Sequence, residues 1–435
     1  MRDSAERDPP PRCHPGTREK ATEDIVRWID EPNPSSTVLW VRGRAGVGKS
    51  ALMQKIAELG LVCFGACFFF RRGTAGCNVK DRLFSTLAYQ LAMNVPGMLE
   101  PVDQAMMRDF SLPKMSAAVQ LKRLIIEPIR LLPTSPCPMI IIIIDGLDEC
   151  EDFSSQHDIL TLIGQVTLDP DTAIRFIIAS RPEHQICEMF NKEPFLSRTR
   201  RFILDEGYDT AADIERYLRD KFQEIYMRNR DIMLDVKSPW PSKDDLEGLV
   251  WRASGQFIYA ATVIKFVGAH VDFRTPQERL EIILHHGPMQ ASAFSELDRL
   301  YMHILSLYPD SEVLVHTLGM IIVLQAQNRD FLIIHNSHPV IAAITGLGEA
   351  KLHLVLRALQ SITEIHTAPL FDDVDDIEPN GTHVRWLKLS HRSFYDFLTD
   401  SARSGPYFIN EGLFISRILI RILELATMFI KECRR

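Results

Sequence analysis

The octapeptide Gly43-Arg44-Ala45-Gly46-Val47-Gly48-Lys49-Ser50 constrains the fold most, because its spacing, G-x-x-x-x-G-K-[ST], has meaning in one local setting. Residues 37–42, Thr-Val-Leu-Trp-Val-Arg, read as a buried strand, and residues 51–59 read as a helix. Strand, glycine loop and helix in that order make a cradle for phosphate. The glycines let backbone N–H groups turn inward, and the helix N-terminus adds unpaired N–H groups and partial positive charge. Lys49 is placed to reach β- and γ-phosphates, and the Ser50 hydroxyl to hold Mg²⁺. The nucleotide-contacting set is therefore Gly43, Arg44, Ala45, Gly46, Val47, Gly48, Lys49, Ser50 and Ala51.

The rest of the first half supplies the sheet such a loop needs. Residues 61–70, 139–144, 173–180 and 201–204 read as further strands, with helices at 21–29, 80–94 and 119–132. Five consecutive isoleucines, Ile140 to Ile144, are the signature of a central parallel strand covered on both faces. Strands alternating with helices imply an α/β fold, a parallel sheet with helices on both sides. After about residue 207 the texture becomes helical. Thr210-Ala211-Ala212-Asp213 has a capping-box pattern, Ser242 opens another helix, and residues 257–267 are apolar nearly all round. Two extended segments, 362–370 and 383–389, flank an acidic loop at 372–378, and a helix begins near His391. That order suggests a winged helix. The expected organisation is a flexible lead at 1–16, a P-loop nucleotide-binding domain at 17–206, a helical domain at 207–290 and a winged-helix-containing helical region at 291–435.

With 435 residues, 46% of them hydrophobic, the chain has material for several cores. A net charge of −8 argues against a general nucleic-acid binder, and the acidic loop at 372–378 would repel phosphate if it were a wing. The charged N-terminus is not a secretory signal. The apolar stretches 257–267 and 414–430 are broken by Lys265 and by Arg417, Arg421 and Glu424, so both read as buried helices rather than membrane spans. Eight scattered cysteines without a C-x-x-C pair read as reduced core thiols. A cytoplasmic setting follows.

Further residues carry chemistry. Asp145 ends the isoleucine strand, where a carboxylate on a strand neighbouring the P-loop would complete the Mg²⁺ site with Ser50. Asp148 or Glu149 is the acid that would orient or deprotonate an attacking water, and the spacing does not choose between them. Many fast ATPases place that acid directly after the Mg²⁺-binding Asp; here the position is Gly146, which points to slow hydrolysis. Arg181, at the carboxyl end of the 173–180 strand, is placed to sense the γ-phosphate, in competition with a plain surface pairing to an acid such as Glu183.

The ordered set of P-loop, Asp145-Gly146-Leu147-Asp148-Glu149 and Ala179-Ser180-Arg181-Pro182 resembles the NACHT class of signal-transducing (STAND) P-loop ATPases, and especially fungal NOD-like receptors with nephrocystin-like N-terminal domains. Residues 13–19, Cys-His-Pro-Gly-Thr-Arg-Glu, look like the lead-in of that group; 253–260 look like its helical-domain signature and 389–398 like its late winged-helix motif. The resemblance implies that Gly16 and Thr17 lie near the adenine and that His391 contacts the β-phosphate of ADP and latches a closed state. Gly255-Gln256-Phe257 lacks the proline some relatives place on the base, and the effector and sensor regions usual in the group are not seen. The resulting expectation is an ATP/ADP- and Mg²⁺-binding switch with slow hydrolysis that opens with nucleotide state and self-associates through the nucleotide domain in signalling or non-self recognition. It takes no nucleic acid and spans no membrane. The alternatives are a turnover ATPase coupled to other work, or a truncated paralogue that keeps nucleotide binding only.

Overall fold

The structure, a computed structural model, describes residues 9–32, 36–61, 63–71, 77–132, 139–169, 172–204, 210–269, 274–285, 295–306, 308–326, 338–359, 362–369, 383–389 and 392–433. It divides into two compact units, residues 1–213 and 214–435.

The first unit is built on five parallel strands: β1 (Val38–Arg42), β2 (Phe64–Phe69), β3 (Ile140–Asp145), β4 (Ile174–Ser180) and β5 (Thr199–Ile203). Their order across the sheet is β2-β3-β4-β1-β5. Alternation along the strands divides the core cleanly. Ile140, Ile142 and Ile144 face one side with Val38, Trp40, Phe176 and Ile178, under the helices Leu83–Asn94 and Phe153–Leu168. Ile141 and Ile143 face the other side with Leu39, Val41, Ile177 and Ala179, under α1 (Glu19–Ile29) and α2 (Lys49–Glu58). All five isoleucines are fully buried, as a doubly covered central strand requires.

The sheet differs from the sequence expectation in one respect that matters for the site. β3 does not neighbour the P-loop strand; β4 lies between them, pairing with β1 on one side and with β3 on the other. A run of isoleucines marks a strand as central but carries no information on which strand it pairs with.

Arg175 shows how α1 is held. It stands in β4 opposite Ile141, on the α1 face, and is buried. Its guanidinium donates to the carbonyls of Trp28 (2.8 Å), Ile29 (2.9 Å) and Glu31, and lies over the Trp28 ring. These carbonyls lie at and just beyond the end of α1, where the i+4 donors of the helix run out. Burial pulls the guanidinium pKa down, against the opposing pull of Glu31 and Asp30.

The second unit is mainly helical. Ser242 caps Lys243–Ala253 by accepting from the Asp245 N–H (3.2 Å), and Phe257–Val267 buries Tyr259, Ala260, Val263, Phe266 and Val267. A hairpin of β6 (Thr363–Pro369) and β7 (His383–Leu389) pairs antiparallel from Thr363 opposite Leu389 to Pro369 opposite His383, and the helix Arg392–Leu398 follows. The two extended segments read from the sequence are thus a hairpin; the acidic loop at 372–378 and His391 lie outside the described residues. Among the described residues no single helix is long and apolar enough to cross a membrane.

Candidate nucleotide site

The site is assembled at the carboxyl ends of three adjacent strands. Register aligns Val41 of β1 with Ala179 of β4, and Ala179 with Asp145 of β3. The next residues along each strand turn into the P-loop, into Arg181 and into the Gly146 turn.

The loop leaves β1 with Ala45 and Val47 buried, while Gly46, Gly48, Lys49 and Ser50 stay partly open. Gly46 (φ +77°) and Gly48 (φ +94°) take left-handed conformations that side chains disfavour, which is why glycine stands there. Gly48 caps α2, so the first N–H groups of that helix point into the loop. Lys49 Nζ donates to the carbonyls of Gly43 (2.7 Å) and Arg44 (3.0 Å), closing the loop over its own backbone.

Asp145 is buried at the end of β3. Its parity with Ile141 and Ile143 puts it on the face covered by α2, the helix that carries Ser50 in its first turn. A carboxylate and a hydroxyl are hard oxygen donors suited to Mg²⁺, which favours one or two protein ligands and completes its shell with water and phosphate. The residues present therefore fit the cation.

Gly146 turns the chain with φ +70°, and a Cβ there would meet the Phe70 carbonyl oxygen at 2.8 Å. The small residue is a steric requirement of this turn, and the acid that fast ATPases carry here has no room. Gly146→Ala is expected to lower stability by about 1–3 kcal/mol from the left-handed backbone alone, before the clash is counted. A thermal midpoint equal to that of the parent chain would contradict this reading of the turn.

After Gly146, a short 3₁₀ turn (Leu147–Glu149) presents the two acids differently. Asp148 is buried and accepts the backbone N–H of Arg181 at 3.0 Å, while its second oxygen lies 3.3 Å from the Arg181 Nε. Arg181 is therefore paired with Asp148. Glu149 remains partly exposed. Ser180, one residue before Arg181, accepts from Trp40 Nε1 at 2.9 Å and ties the ends of β4 and β1 together.

The lead-in folds against α2. Gly16 makes a turn at φ +73°, the Thr17 hydroxyl donates to the His14 carbonyl (2.6 Å), and the Thr17 carbonyl accepts from Lys55 (3.2 Å). Arg18, which no spacing rule singles out, is buried and sends a guanidinium N–H to the Val47 carbonyl inside the P-loop at 2.7 Å. The partners of its guanidinium lie 29 and more residues away in sequence, beyond the reach of local pattern. Burial pushes the Cys13 thiol up to about 11 and the Cys150 thiol up to about 12, which favours the protonated form of both at neutral pH. Cys13, Cys63, Cys150 and Cys187 form no disulfide.

Residues 16–181 match the family described as Nephrocystin 3, N-terminal. None of the curated proteins matches the chain. Solved structures similar to it include the Orc1 protein of Aeropyrum pernix in complex with DNA (13% identity, 92% of this chain and 94% of that one, TM-score 0.35). A STAND protein with a tetratricopeptide repeat sensor from Pyrococcus horikoshii is another (10%, 94% and 45%, TM-score 0.40), so the chain spans less than half of that protein. A third is Drosophila ORC bound to DNA (14%, 88% and 94%, TM-score 0.41). Two of the three are DNA complexes, and the expectation of nucleotide and self-association through the nucleotide domain with no nucleic acid is corrected accordingly. Net charge and one acidic loop describe averages and a single segment, whereas contact with phosphate depends on local surface. The family match over 16–181 spans the P-loop, the strands β1 to β4 and Arg181, so this part of the first unit is similar to the N-terminal domain described for Nephrocystin 3.

Proposed function

We propose that the chain is an ATP- and ADP-binding switch of the NACHT type that hydrolyses ATP slowly and retains its product. The observation that supports this reading best is the convergence of the P-loop, the Asp148–Arg181 pair and Asp145 at the ends of three adjacent strands. In this reading the N–H groups of residues 46–50 receive the β-phosphate. Lys49 exchanges its loop carbonyls for phosphate oxygens. Ser50 and Asp145 would hold Mg²⁺, which would supply positive charge against the phosphates. Glu149 accepts the proton of the attacking water. Asp148 holds Arg181 at the strand end, where the guanidinium answers to a third phosphate.

Slow turnover follows from Gly146, whose turn excludes an acid beside the cation-binding Asp145. The test is steady-state hydrolysis by the purified full chain with Mg·ATP. A multiple-turnover rate below about 1 s⁻¹, the low end for ordinary enzymes, is expected, with bound ADP released more slowly still. Rapid multiple turnover with free exchange of ADP would favour a turnover ATPase instead.

A further inference from the structure

We infer that Arg18 is a positioning residue that sets the phosphate-binding geometry of the P-loop and reports it to the helix Thr210–Arg228. This rests on the nucleotide-binding reading above and extends it to a residue outside the loop.

The first half of the inference comes from peptide geometry. Arg18 donates from Nη2 to the Val47 carbonyl at 2.7 Å, in a buried setting. The peptide joining Val47 to Gly48 is planar and trans, so its carbonyl and its N–H point in opposite directions. Gly48 has φ +94° and no side chain, so the peptide on its N-terminal side has a wider range of orientations than one before an L residue. Holding the Val47 oxygen on the buried side aims the Gly48 N–H at the open side of the loop, where an anion is received.

The second half comes from the other end of the same guanidinium. Nη1 donates to the Thr210 hydroxyl at 3.1 Å and approaches the Leu204 carbonyl just beyond β5 at 3.5 Å. The Arg18 backbone N–H donates to the Asp213 carboxylate at 2.9 Å. Thr210 and Asp213, the two polar residues of the pattern that reads as a capping box, are thus both engaged by Arg18. Arg18 itself sits at φ +58°, at the entry to α1, and its carbonyl accepts from the Thr22 N–H and hydroxyl. An arginine in that conformation persists only where its surroundings over-determine it. Its two Nη atoms therefore link the Val47–Gly48 peptide to the first turn of the helix that leads out of the first unit. A change in that peptide on phosphate binding pulls on Thr210.

Two variants separate the halves. Arg18→Gly suits the left-handed backbone and removes the guanidinium; Thr210→Val leaves the Val47 contact in place and removes the helix contact. The probes are inorganic pyrophosphate and Mg·ADP, titrated against the full chain, with hydrogen exchange of the amides in the first turn of Thr210–Arg228. In the parent, ADP is expected to alter exchange in that turn. Arg18→Gly is expected to weaken both probes by roughly ten-fold, the loss of one oriented donor, and to abolish the exchange response. Thr210→Val is expected to keep both affinities and lose the response alone. A merely structural role for Arg18 would not produce this dissociation. Unchanged pyrophosphate affinity in Arg18→Gly, or an intact exchange response in Thr210→Val, overturns the inference while leaving nucleotide binding standing. A parent chain that binds neither probe overturns the nucleotide reading and this inference with it.

Discussion

Lys49→Ala is expected to weaken ATP and ADP binding on the order of a hundred-fold, with the fold intact. The lysine makes two hydrogen bonds to loop carbonyls, at 2.7 and 3.0 Å, and is partly open on the side of the loop glycines. A charge-assisted hydrogen bond to a phosphate oxygen contributes about 1.5–3 kcal/mol, and each 1.4 kcal/mol is about ten-fold in Kd. The substitution removes one cation and leaves the core under β1 untouched, because Leu52, Met53 and Ile56 carry the packing of α2. Titration of parent and variant with Mg·ADP reads the difference. Equal affinities would mean that the loop does not bind phosphate.

Glu149→Gln is expected to slow hydrolysis by about 10²–10⁴-fold while leaving nucleotide affinity nearly unchanged, the usual scale for loss of a general base. What decides the assignment is the burial of Asp148 against the partial exposure of Glu149. One oxygen of Asp148 accepts the Arg181 N–H and the other faces its Nε, and the Asp148 side chain is only 5% exposed. To take a proton from water it would have to give up the guanidinium. Glu149 is one residue further along the turn and reaches solvent. Asp148→Asn, by contrast, is expected to lower stability, since it weakens a largely buried pair and leaves Arg181 short of its counter-charge. Single-turnover hydrolysis of ATP by the two variants decides the matter. Loss of hydrolysis in Asp148→Asn with normal rates in Glu149→Gln would reverse the assignment.

The elements that hold the site were legible in the sequence wherever the cause is local. The P-loop carries its own spacing, the isoleucine run shows its own burial, and Asp145 and Arg181 stand at strand ends that composition marks. Pairing order was not legible, because β4 enters between β1 and β3 through pairings that join residues 138 positions apart on the β1 side and 34 apart on the β3 side. Arg175 and Arg18 were missed for the same reason. Each is a single charge inside an apolar or turn segment, and its meaning lies in carbonyls supplied by other elements. The helix Phe153–Leu168 escaped as well, although Asp152 caps it by accepting from the Ser155 N–H at 2.6 Å. Its N-cap stands three residues after Glu149, where the acids of the site mask the helix start. Gly146 was recognised as distinctive by its position after Asp145, but the reason, the Phe70 carbonyl facing it, needed the fold.

The most direct test of the central claim is the nucleotide content of the purified full chain, read by denaturing it and resolving the released small molecules by anion exchange, with Mg·ADP titration of the same preparation. The account predicts retained ADP, or an emptied site that takes Mg·ADP back in a manner that Lys49→Ala abolishes. A chain that releases no nucleotide and binds neither Mg·ADP nor Mg·ATP would contradict it.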